Sequence, residues 1–233
     1  MFYYYYFDYT YVLVIIGALI CCLASVWVTS SMKKYHGIKN QRGLTGAQAA
    51  EQILRDGGIY DVGVQCLRKG AGDHYNPRTK TVGLSYETYH YPSVTAVAIA
   101  AHECGHAKQH QENFVPLRIR SLLVPVVNIG TYLGIPLIIL GVYLSFNQTL
   151  IQIGIWAFVL AMLFQIVTLP VEFNASNRAL ASIENRGMLN SEEYAGAKKV
   201  LTAAAMTYVA ATASSVLQLI RLVLLFGGNR RRD

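Results

Sequence analysis

Residues 121–171 read SLLVPVVNIGTYLGIPLIILGVYLSFNQTLIQIGIWAFVLAMLFQIVTLPV and contain no Asp, Glu, Lys or Arg. A helix needs about 20 apolar residues to cross a bilayer, so this run of 51 is long enough for two crossings. Of the 233 residues in the chain, 53% are hydrophobic and only 14% are charged. Soluble domains carry about a quarter charged residues. The sequence therefore predicts an integral membrane protein.

About four segments are predicted to cross the membrane. The uncharged run divides at a polar stretch into residues 122–144 and residues 150–169, which are expected to form a helical hairpin. A first span covers residues 11–28 and lacks the basic start of a signal peptide, so we expect it to remain as an anchor. The fourth segment, residues 203–226, is weaker because it is rich in Ala, Thr and Ser and is interrupted by Arg221.

Lys and Arg residues predict the orientation, since they are enriched in cytoplasmic loops. Basic residues follow the first span at 33–42 and precede the hairpin at 118 and 120, whereas the hairpin tip carries none. We therefore expect residues 33–120 on the cytoplasmic side of a bacterial plasma membrane, with the hairpin tip outside. The basic tail at 230–232 conflicts with this if the fourth segment crosses. These flanks are expected to contact the lipid bilayer, and no nucleic-acid-binding module is present.

The region between the first span and the hairpin is predicted to form a small α+β domain with a short antiparallel sheet. Thr45 and Gln48 have the spacing of a capping box that begins a helix. Three short strands are predicted next, at residues 62–67, 71–75 and 79–85. Asn76 begins a turn between the last two strands. Ser93 is the predicted N-cap of a further helix.

This last helix carries His102-Glu103-Cys104-Gly105-His106, which has the pattern His-Glu-x-x-His. Residues four apart lie on one face of a helix, so both imidazoles can bind a single zinc ion. Glu103 lies beside the first imidazole, where it can accept a proton from an attacking water. The pattern is expected by chance about 0.005 times in a chain of this composition. A zinc-dependent hydrolase is therefore favoured over a polar helix end at the membrane surface.

A hydrolytic zinc site normally has three protein ligands and one open position. His110 is rejected as the third ligand because it lies about 12 Å from His102 along the helix axis. Glu172 is the better candidate, since the hairpin leaves just after the histidine helix and returns to the same side. That path would bring Glu172 beside His102 and His106. Pro170 is expected to break the helix and redirect the chain just before Glu172.

Cysteine metal sites and disulfides are not indicated. The chain has four cysteines, which are Cys21, Cys22, Cys66 and Cys104, and no Cys-x-x-Cys pair. We interpret them as small apolar residues of the interior.

Three stretches together resemble one protein family. AAHECGHAKQ at residues 100–109 is preceded by DHYNPRTKTVGLS at 73–85 and followed by PVEFNASNRAL at 170–180. The combination resembles the YugP-type membrane zinc metallopeptidases and, more distantly, the HtpX and CAAX-prenyl endopeptidases. The resemblance extends from the helix after Thr45 to the helix that carries Glu172, and so covers nearly the whole chain.

The resemblance implies a gluzincin-like site with one Zn²⁺ per chain. The implied residues are His102, His106 and Glu172 as ligands and Glu103 as general base. The distant relatives carry Glu-x-x-x-Asp on the third-ligand helix, whereas Ser176 occupies the Asp position here. That Asp would orient a ligand histidine. Ser176, Asn174 or Asn177 could accept the hydrogen bond in its place.

The predicted architecture is a mainly α-helical integral membrane protein with a small α+β cytoplasmic domain that resembles the zincins. Its predicted segments are an N-terminal anchor at 1–32, a catalytic region at 33–120, a transmembrane hairpin at 121–171, the third-ligand helix and a cytoplasmic segment at 172–200, and a C-terminal membrane helix with a basic tail at 201–233. The expected substrate is a peptide or a membrane protein.

Less specific signals concern how the substrate is bound and how the oxyanion is stabilised. Tyr75, His74 and Arg178 are candidates for stabilising the oxyanion, and the sequence does not rank them. The strand at residues 79–85 could pair with an extended peptide by edge addition. Gly83 would then allow a close backbone approach, and a bulge at Gly83 is the equal alternative.

Two other functions are weighed against peptide hydrolysis. A transporter would have ionisable residues within its spans, and only Arg221 qualifies. An inactive metalloprotease-like scaffold or regulator would not need to keep Glu103 beside an intact ligand set. Both are less favoured, and the oligomeric state is left open.

Overall fold

The computed structural model describes residues 8–226, except for the side chains of residues 126 and 128–131. The helices of this part of the chain are α1 (Tyr11–His36), α2 (Gly46–Asp56), α3 (Tyr86–His90), α4 (Val94–Gln111), α5 (Val115–Tyr143), α6 (Gln148–Asn185) and α7 (Ser191–Phe226). Its strands are β1 (Gly63–Cys66), β2 (His74–Asn76) and β3 (Thr81–Leu84). The basic tail at residues 230–232 lies outside the described residues.

The described residues divide into two compact units. The first, here called the helical unit, comprises residues 8–24, 120–167 and 208–226. The second, here called the sheet unit, comprises residues 25–119 and 168–207. Helices α1, α5, α6 and α7 each contribute residues to both units.

Three of the described helices, α1, α6 and α7, are long and apolar enough to cross a membrane. α5 has 29 residues, and its part from Tyr132 to Tyr143 is a shorter apolar stretch. Three of the four predicted spans therefore have a helix of sufficient length and apolar composition. The crossing by α5 stays a prediction.

The helices run further than the predicted spans. α5 begins at Val115 instead of residue 122, and α7 begins at Ser191 instead of residue 203. α1 continues beyond residue 28 to His36, and α6 continues beyond residue 169 to Asn185. Pro170 lies inside α6, so the expectation that it breaks the helix is wrong. A proline removes one helical N–H donor, yet α6 is helical on both sides of Pro170. Glu172 therefore lies within a continuous helix.

In the helical unit, α1 and α7 pack antiparallel. A Cβ atom at Gly17 would lie 2.7 Å from the Oγ of Ser214. Asp8 lies just before α1, and Arg221 lies near the end of α7. Arg221 forms an ion pair with Asp8 at 3.2 Å and lies 4.3 Å from the centre of the Tyr11 ring. The charge that weakened the fourth predicted span is therefore paired.

The predicted hairpin of α5 and α6 also forms within the helical unit. A Cβ atom at Gly154 would lie 2.6 Å from the carbonyl oxygen of Gly134, a separation that no side chain can occupy. The two helices thus approach each other backbone to backbone. Small residues allow such close approach between membrane helices.

The sheet unit contains a three-stranded sheet in the order β1-β3-β2. β3 pairs antiparallel with β2 but parallel with β1, so the prediction of an antiparallel sheet is wrong for the pair of β1 and β3. The chain reverses direction after β1 and again after β2, and these two reversals make β3 parallel to β1. The second reversal is the predicted turn, in which Asn76 Oδ1 accepts the N–H groups of Arg78 at 2.9 Å and Thr79 at 3.3 Å.

Helices α2 and α4 pack against each other and against the sheet. Both begin where the sequence predicts. Thr45 and Gln48 form a reciprocal capping box at α2, and the Oγ of Ser93 accepts the N–H of Ala96 at α4. The residues of α4 that are fully buried before the histidine motif are Val94, Val97, Ala98, Ala100 and Ala101. α4 is therefore held firmly by its neighbours before it reaches His102.

Candidate metal centre

Helix α4 places His102 and His106 side by side on one face. Their ring centroids are 4.7 Å apart and the ring planes are nearly perpendicular, at 86°. The two side chains are 16% and 12% exposed. A spacing of four residues is close to one helical turn, so the local sequence explains this pairing.

Glu172 on α6 brings a carboxylate to the two imidazoles. Its Oε2 lies 3.3 Å from the Nε2 of His102 and 3.6 Å from the Nε2 of His106. One potential ligand atom from each side chain lies within 4.8 Å of the others. The Glu172 side chain is only 3% exposed. Two helices whose site residues are far apart in the sequence thus meet at one cluster.

The three atoms fit a zinc ion. Zinc bonds to nitrogen and oxygen are about 2.0–2.1 Å long, so tetrahedral angles place neighbouring ligand atoms about 3.3 Å apart. The separations of 3.3 and 3.6 Å between Glu172 and the histidines agree with that value. Two imidazoles and one carboxylate are also a donor set found in hydrolytic zinc sites, which keep a fourth position open.

The electrostatics of the cluster favour a bound cation. Burial alone would raise the pKa of Glu172, but hydrogen bonds with His102 and His106 outweigh burial and hold that pKa well below its ordinary value. Burial alone would lower the pKa of His106, but the hydrogen bond with Glu172 and the charge of Glu103 raise that pKa above its ordinary value. A divalent cation can replace protons bound between such groups.

Ser176 orients His102. It lies one helical turn beyond Glu172 on α6, and its Oγ is 3.1 Å from the Nδ1 of His102. Of the three residues considered for this contact, Ser176 makes it, whereas Asn174 bonds to other side chains and Asn177 is exposed. A neutral hydroxyl therefore stands where the resemblance leads one to expect a carboxylate.

Gln109 contacts His106 in the same manner, and the sequence reasoning did not identify it. Its Oε1 lies 3.0 Å from the Nδ1 of His106. The available signal was its position three residues after His106, because residues at that spacing are neighbours on a helix surface. Both imidazoles thus use Nδ1 for an orienting contact, which leaves Nε2 facing Glu172.

Gly105 allows α4 and α6 to approach closely. A Cβ atom at this position would lie 2.5 Å from the carbonyl oxygen of Ala175 and 3.1 Å from its Cα. Only glycine fits against backbone at that distance. The glycine between the two histidines therefore lets α6 come near enough for Glu172 to reach them.

Glu103 and Cys104 lie inside the motif and are mostly buried. Glu103 is 8% exposed and Cys104 is 1% exposed. The Sγ of Cys104 donates to the carbonyl oxygen of Ala50 at 3.6 Å, and burial, followed by the charge of Glu103, raises the pKa of the thiol. Cys104 is therefore an interior thiol, as the sequence indicates. Cys22 and Cys66 are exposed, so the interior interpretation is wrong for those two residues.

Comparison with known proteins agrees with this site. A family model described as "Putative neutral zinc metallopeptidase" matches residues 10–227. The chain belongs to this family. A relative named "Putative membrane protease YugP", from Bacillus subtilis (strain 168), is 43% identical over 203 residues, which are 87% of this chain and 90% of the relative. No solved structure matches the chain.

Membership of this zinc metallopeptidase family confirms the resemblance drawn from the sequence. The family is described as zinc metallopeptidases, and His102, His106 and Glu172 of this chain form a possible metal site. The name of the relative describes a membrane protein, and three helices here are long and apolar enough to span a membrane.

The three oxyanion candidates make defined contacts. The Oη of Tyr75 lies 2.9 Å from the Nδ1 of His110, which joins β2 to the helix of the site. His74 bonds through Nδ1 to a backbone carbonyl in the preceding loop at 2.9 Å. Arg178 forms an ion pair with Glu112 at 2.7 Å. Roles for these side chains in stabilising an oxyanion stay predictions.

Gly83 has a packing role in the sheet. It lies on the central strand, where it is paired with Gln65 on one side and His74 on the other. The register across β3 is continuous, so Gly83 is not at a bulge. A Cβ atom there would lie 2.8 Å from a methyl group of Leu67. The expectation that this strand adds a substrate peptide to its edge is therefore wrong, because both of its edges are occupied.

Proposed function

We propose that this protein is a membrane-embedded zinc metallopeptidase that hydrolyses peptide bonds. The observation that carries the proposal is the convergence of His102, His106 and Glu172 in a chain of this family. These three side chains would hold one Zn²⁺ per chain in a gluzincin-like site. The arrangement has the three protein ligands and the open position that hydrolytic zinc sites require.

Glu103 is proposed as the general base. Zinc, when bound, polarises the scissile carbonyl and makes water more acidic. Glu103 accepts a proton from the attacking water and delivers it to the leaving amine. The charge of Glu103 contributes to the raised pKa of His106, which supports a carboxylate near the site. Its low exposure of 8% limits competition from bulk water.

The edge strand β2 is proposed to receive the substrate, a peptide or an unfolded part of a membrane protein. β2 lies at one edge of the described sheet and carries His74 and Tyr75. An extended peptide that pairs with this edge would run beside both side chains. We propose that the Tyr75 hydroxyl donates to the oxyanion, because its contact with His110 ties it to α4.

The proposed location is a bacterial plasma membrane, with the active site on the cytoplasmic side. The support is the concentration of basic residues at 33–42 and at 118 and 120, next to the predicted spans. The similarity to a membrane protease of Bacillus subtilis agrees with a bacterial membrane.

Metal analysis combined with a Glu103→Gln variant tests the proposal. Purified full-length protein should contain about one zinc ion per chain and should lose peptide hydrolysis when zinc is chelated. Glu103→Gln should keep its zinc and hydrolyse peptide at least about a hundredfold more slowly, the usual size of a general-base effect. Glu51→Gln, which changes an exposed carboxylate on α2, is the matched control and should retain activity.

Each other outcome has a distinct meaning. Near-normal hydrolysis by Glu103→Gln would exclude Glu103 as the base. Zinc binding without hydrolysis in the unsubstituted protein would favour the inactive scaffold. His102→Ala or His106→Ala should reduce zinc content well below one per chain, and full occupancy in either variant would remove that residue from the ligand set.

A further inference from the structure

Gln109 is a fully buried polar residue on α4 whose amide makes three hydrogen bonds. It lies three residues after His106, and its partners belong to α4 and α6. A buried side-chain amide must satisfy both its oxygen and its nitrogen. The orientation of this amide therefore shows which of the groups it contacts donate a hydrogen bond and which accept one.

A backbone carbonyl determines which end of the amide is which. The carbonyl oxygen of Val171 can only accept, so the group 2.8 Å from it must be the Nε2 of Gln109. The second hydrogen of Nε2 points to Asn174 Oδ1 at 3.0 Å. The Oε1 of Gln109 then faces the Nδ1 of His106 at 3.0 Å and must accept from it. Nδ1 of His106 thus carries a proton, so Nε2 is the ring nitrogen that can bind a metal ion.

The orientation of Asn174 is determined in the same way from its other side. The Nε of Arg178 can only donate, and it lies 2.7 Å from Asn174 Oδ1. Arg178 is held in turn by its ion pair with Glu112 at 2.7 Å. Each of these hydrogen bonds therefore has one donor and one acceptor. Arg178 and Gln109 donate to Asn174 Oδ1, and His106 donates to Gln109 Oε1.

The contacts of Gln109 on α6 lie on both sides of Glu172, at Val171 and at Asn174. One amide thus connects an imidazole of the site to the helix that carries the carboxylate. His102 differs, because its Nδ1 contacts α6 only at the hydroxyl of Ser176.

We propose that Gln109 is a positioning residue that selects the Nδ1–H tautomer of His106 and holds this imidazole at a set distance from the Glu172 segment of α6. The proposal rests on the proposed zinc-binding role of His106. Groups that orient a histidine ligand typically change metal affinity by about 10-fold to 100-fold when they are removed. Asn174 supports the same arrangement from α6.

The first test uses Gln109→Met in the full-length protein in detergent. Methionine has a similar shape and lacks the amide, so apparent zinc affinity, measured by competition with a chelator, should fall about 10-fold to 100-fold. Gln111→Met is the matched control, since Gln111 is an exposed glutamine on the same helix. Its affinity should stay within about twofold of the unsubstituted protein, as for most surface changes.

A spectroscopic measurement separates positioning from a general effect on folding. With ¹⁵N-labelled histidine and saturating zinc, the unsubstituted protein should show a ring proton on His106 Nδ1 that exchanges slowly with water. Gln109→Met should lose this slow exchange because the acceptor is gone. A residue with only a structural role would lower thermal stability and leave the signal in place.

Variants of Asn174 keep the proposal testable if Gln109→Met does not fold. Both hydrogen bonds reach Asn174 through Oδ1, so Asn174→Asp keeps an acceptor for Gln109 and Arg178 and should keep zinc affinity within about twofold. Asn174→Leu removes the acceptor and should weaken zinc binding by about 10-fold. Asn177→Leu, at an exposed position three residues later, should have no such effect.

Unchanged zinc affinity in both Gln109→Met and Asn174→Leu would overturn the inference. Equal losses in Asn174→Asp and Asn174→Leu would also overturn it, since the acceptor would then be irrelevant. Failure of the proposed function gives a different result, because the unsubstituted protein would then bind no zinc or hydrolyse no peptide. Zinc binding and hydrolysis by the unsubstituted protein, with unchanged affinity in the variants, would reject the role of Gln109 alone.

Discussion

The Glu172 carboxylate is 3% exposed and lies within 3.6 Å of two imidazole nitrogens. A buried charge is costly unless it is paired and hydrogen-bonded. The two histidines supply that pairing, which explains why the pKa of Glu172 is lowered and that of His106 is raised. A zinc ion would supply two positive charges at the same place. Protons and zinc therefore compete for this cluster, and zinc binding should weaken as the solution becomes more acidic.

The identity of the third ligand can be tested by comparing Glu172 with His110. Glu172→Gln replaces a carboxylate by an amide of equal size, so the fold should be retained. Zinc affinity should fall by more than about a hundredfold, beyond the usual effect of an outer partner, since a neutral amide oxygen is a poor zinc ligand. His110→Ala should leave affinity nearly unchanged, because His110 contacts Tyr75 and is exposed. The reverse ranking in chelator titrations would make His110 the third ligand.

Among the helices, the contact between α4 and α6 decides whether a metal site can form. α6 continues through Pro170, so Glu172, Ser176 and Asn174 share one continuous helix. Gly105 brings that helix against α4. Because a side chain at position 105 would meet backbone atoms, the helices could accommodate it only by moving apart.

Gly105→Ala tests this contact between helices. Alanine normally stabilises a helix by about 1 kcal/mol relative to glycine, so a local effect would raise the thermal unfolding midpoint. We expect the opposite, a lower midpoint and weaker zinc binding, because Ala175 would be displaced together with Glu172. Gly72→Ala is the control, since a Cβ atom at Gly72 meets nothing within 4 Å. Unchanged zinc affinity in Gly105→Ala would show that the approach of α6 does not control the site.

For the molecule as a whole, the antiparallel packing of α1 and α7 relates the two ends of the chain. Asp8, just before α1, is paired with Arg221, near the end of α7. If both helices cross the membrane, these two ends lie at the same face. The positive-inside rule predicts that the beginning of α1 lies outside. The described end of α7 would then lie outside as well, and the basic residues after it would be an exception to the rule.

Labelling with an impermeant thiol reagent in intact cells tests this orientation. The experiment uses single-cysteine variants of a protein from which the native cysteines have been removed. Lys39→Cys should be protected as a cytoplasmic position, whereas Asn147→Cys at the hairpin tip and Tyr9→Cys before α1 should react. All three positions are exposed, so protection would report the side of the membrane and not burial in the protein. The opposite pattern would place the proposed active site outside the cell.

The sequence by itself determined the features whose cause is local. The spacing of His102 and His106, the capping box at Thr45, the N-cap at Ser93 and the turn at Asn76 each depend on residues within about one helical turn or one tight turn. The long uncharged run likewise predicted apolar helices, because a bilayer selects length and composition. The gap between His106 and Glu172 was interpretable for the same reason, since it accommodates two such helices.

Only the tertiary structure decided how distant residues meet. The strand order places β3 in the centre of the sheet, where Gly83 packs against Leu67. The local alternation of residues reveals neither feature. Gln109 became recognisable as a partner of His106 only when α6 brought Val171 and Asn174 to its amide nitrogen. In each case the cause is a contact between groups distant along the chain, and a local sequence pattern does not contain it.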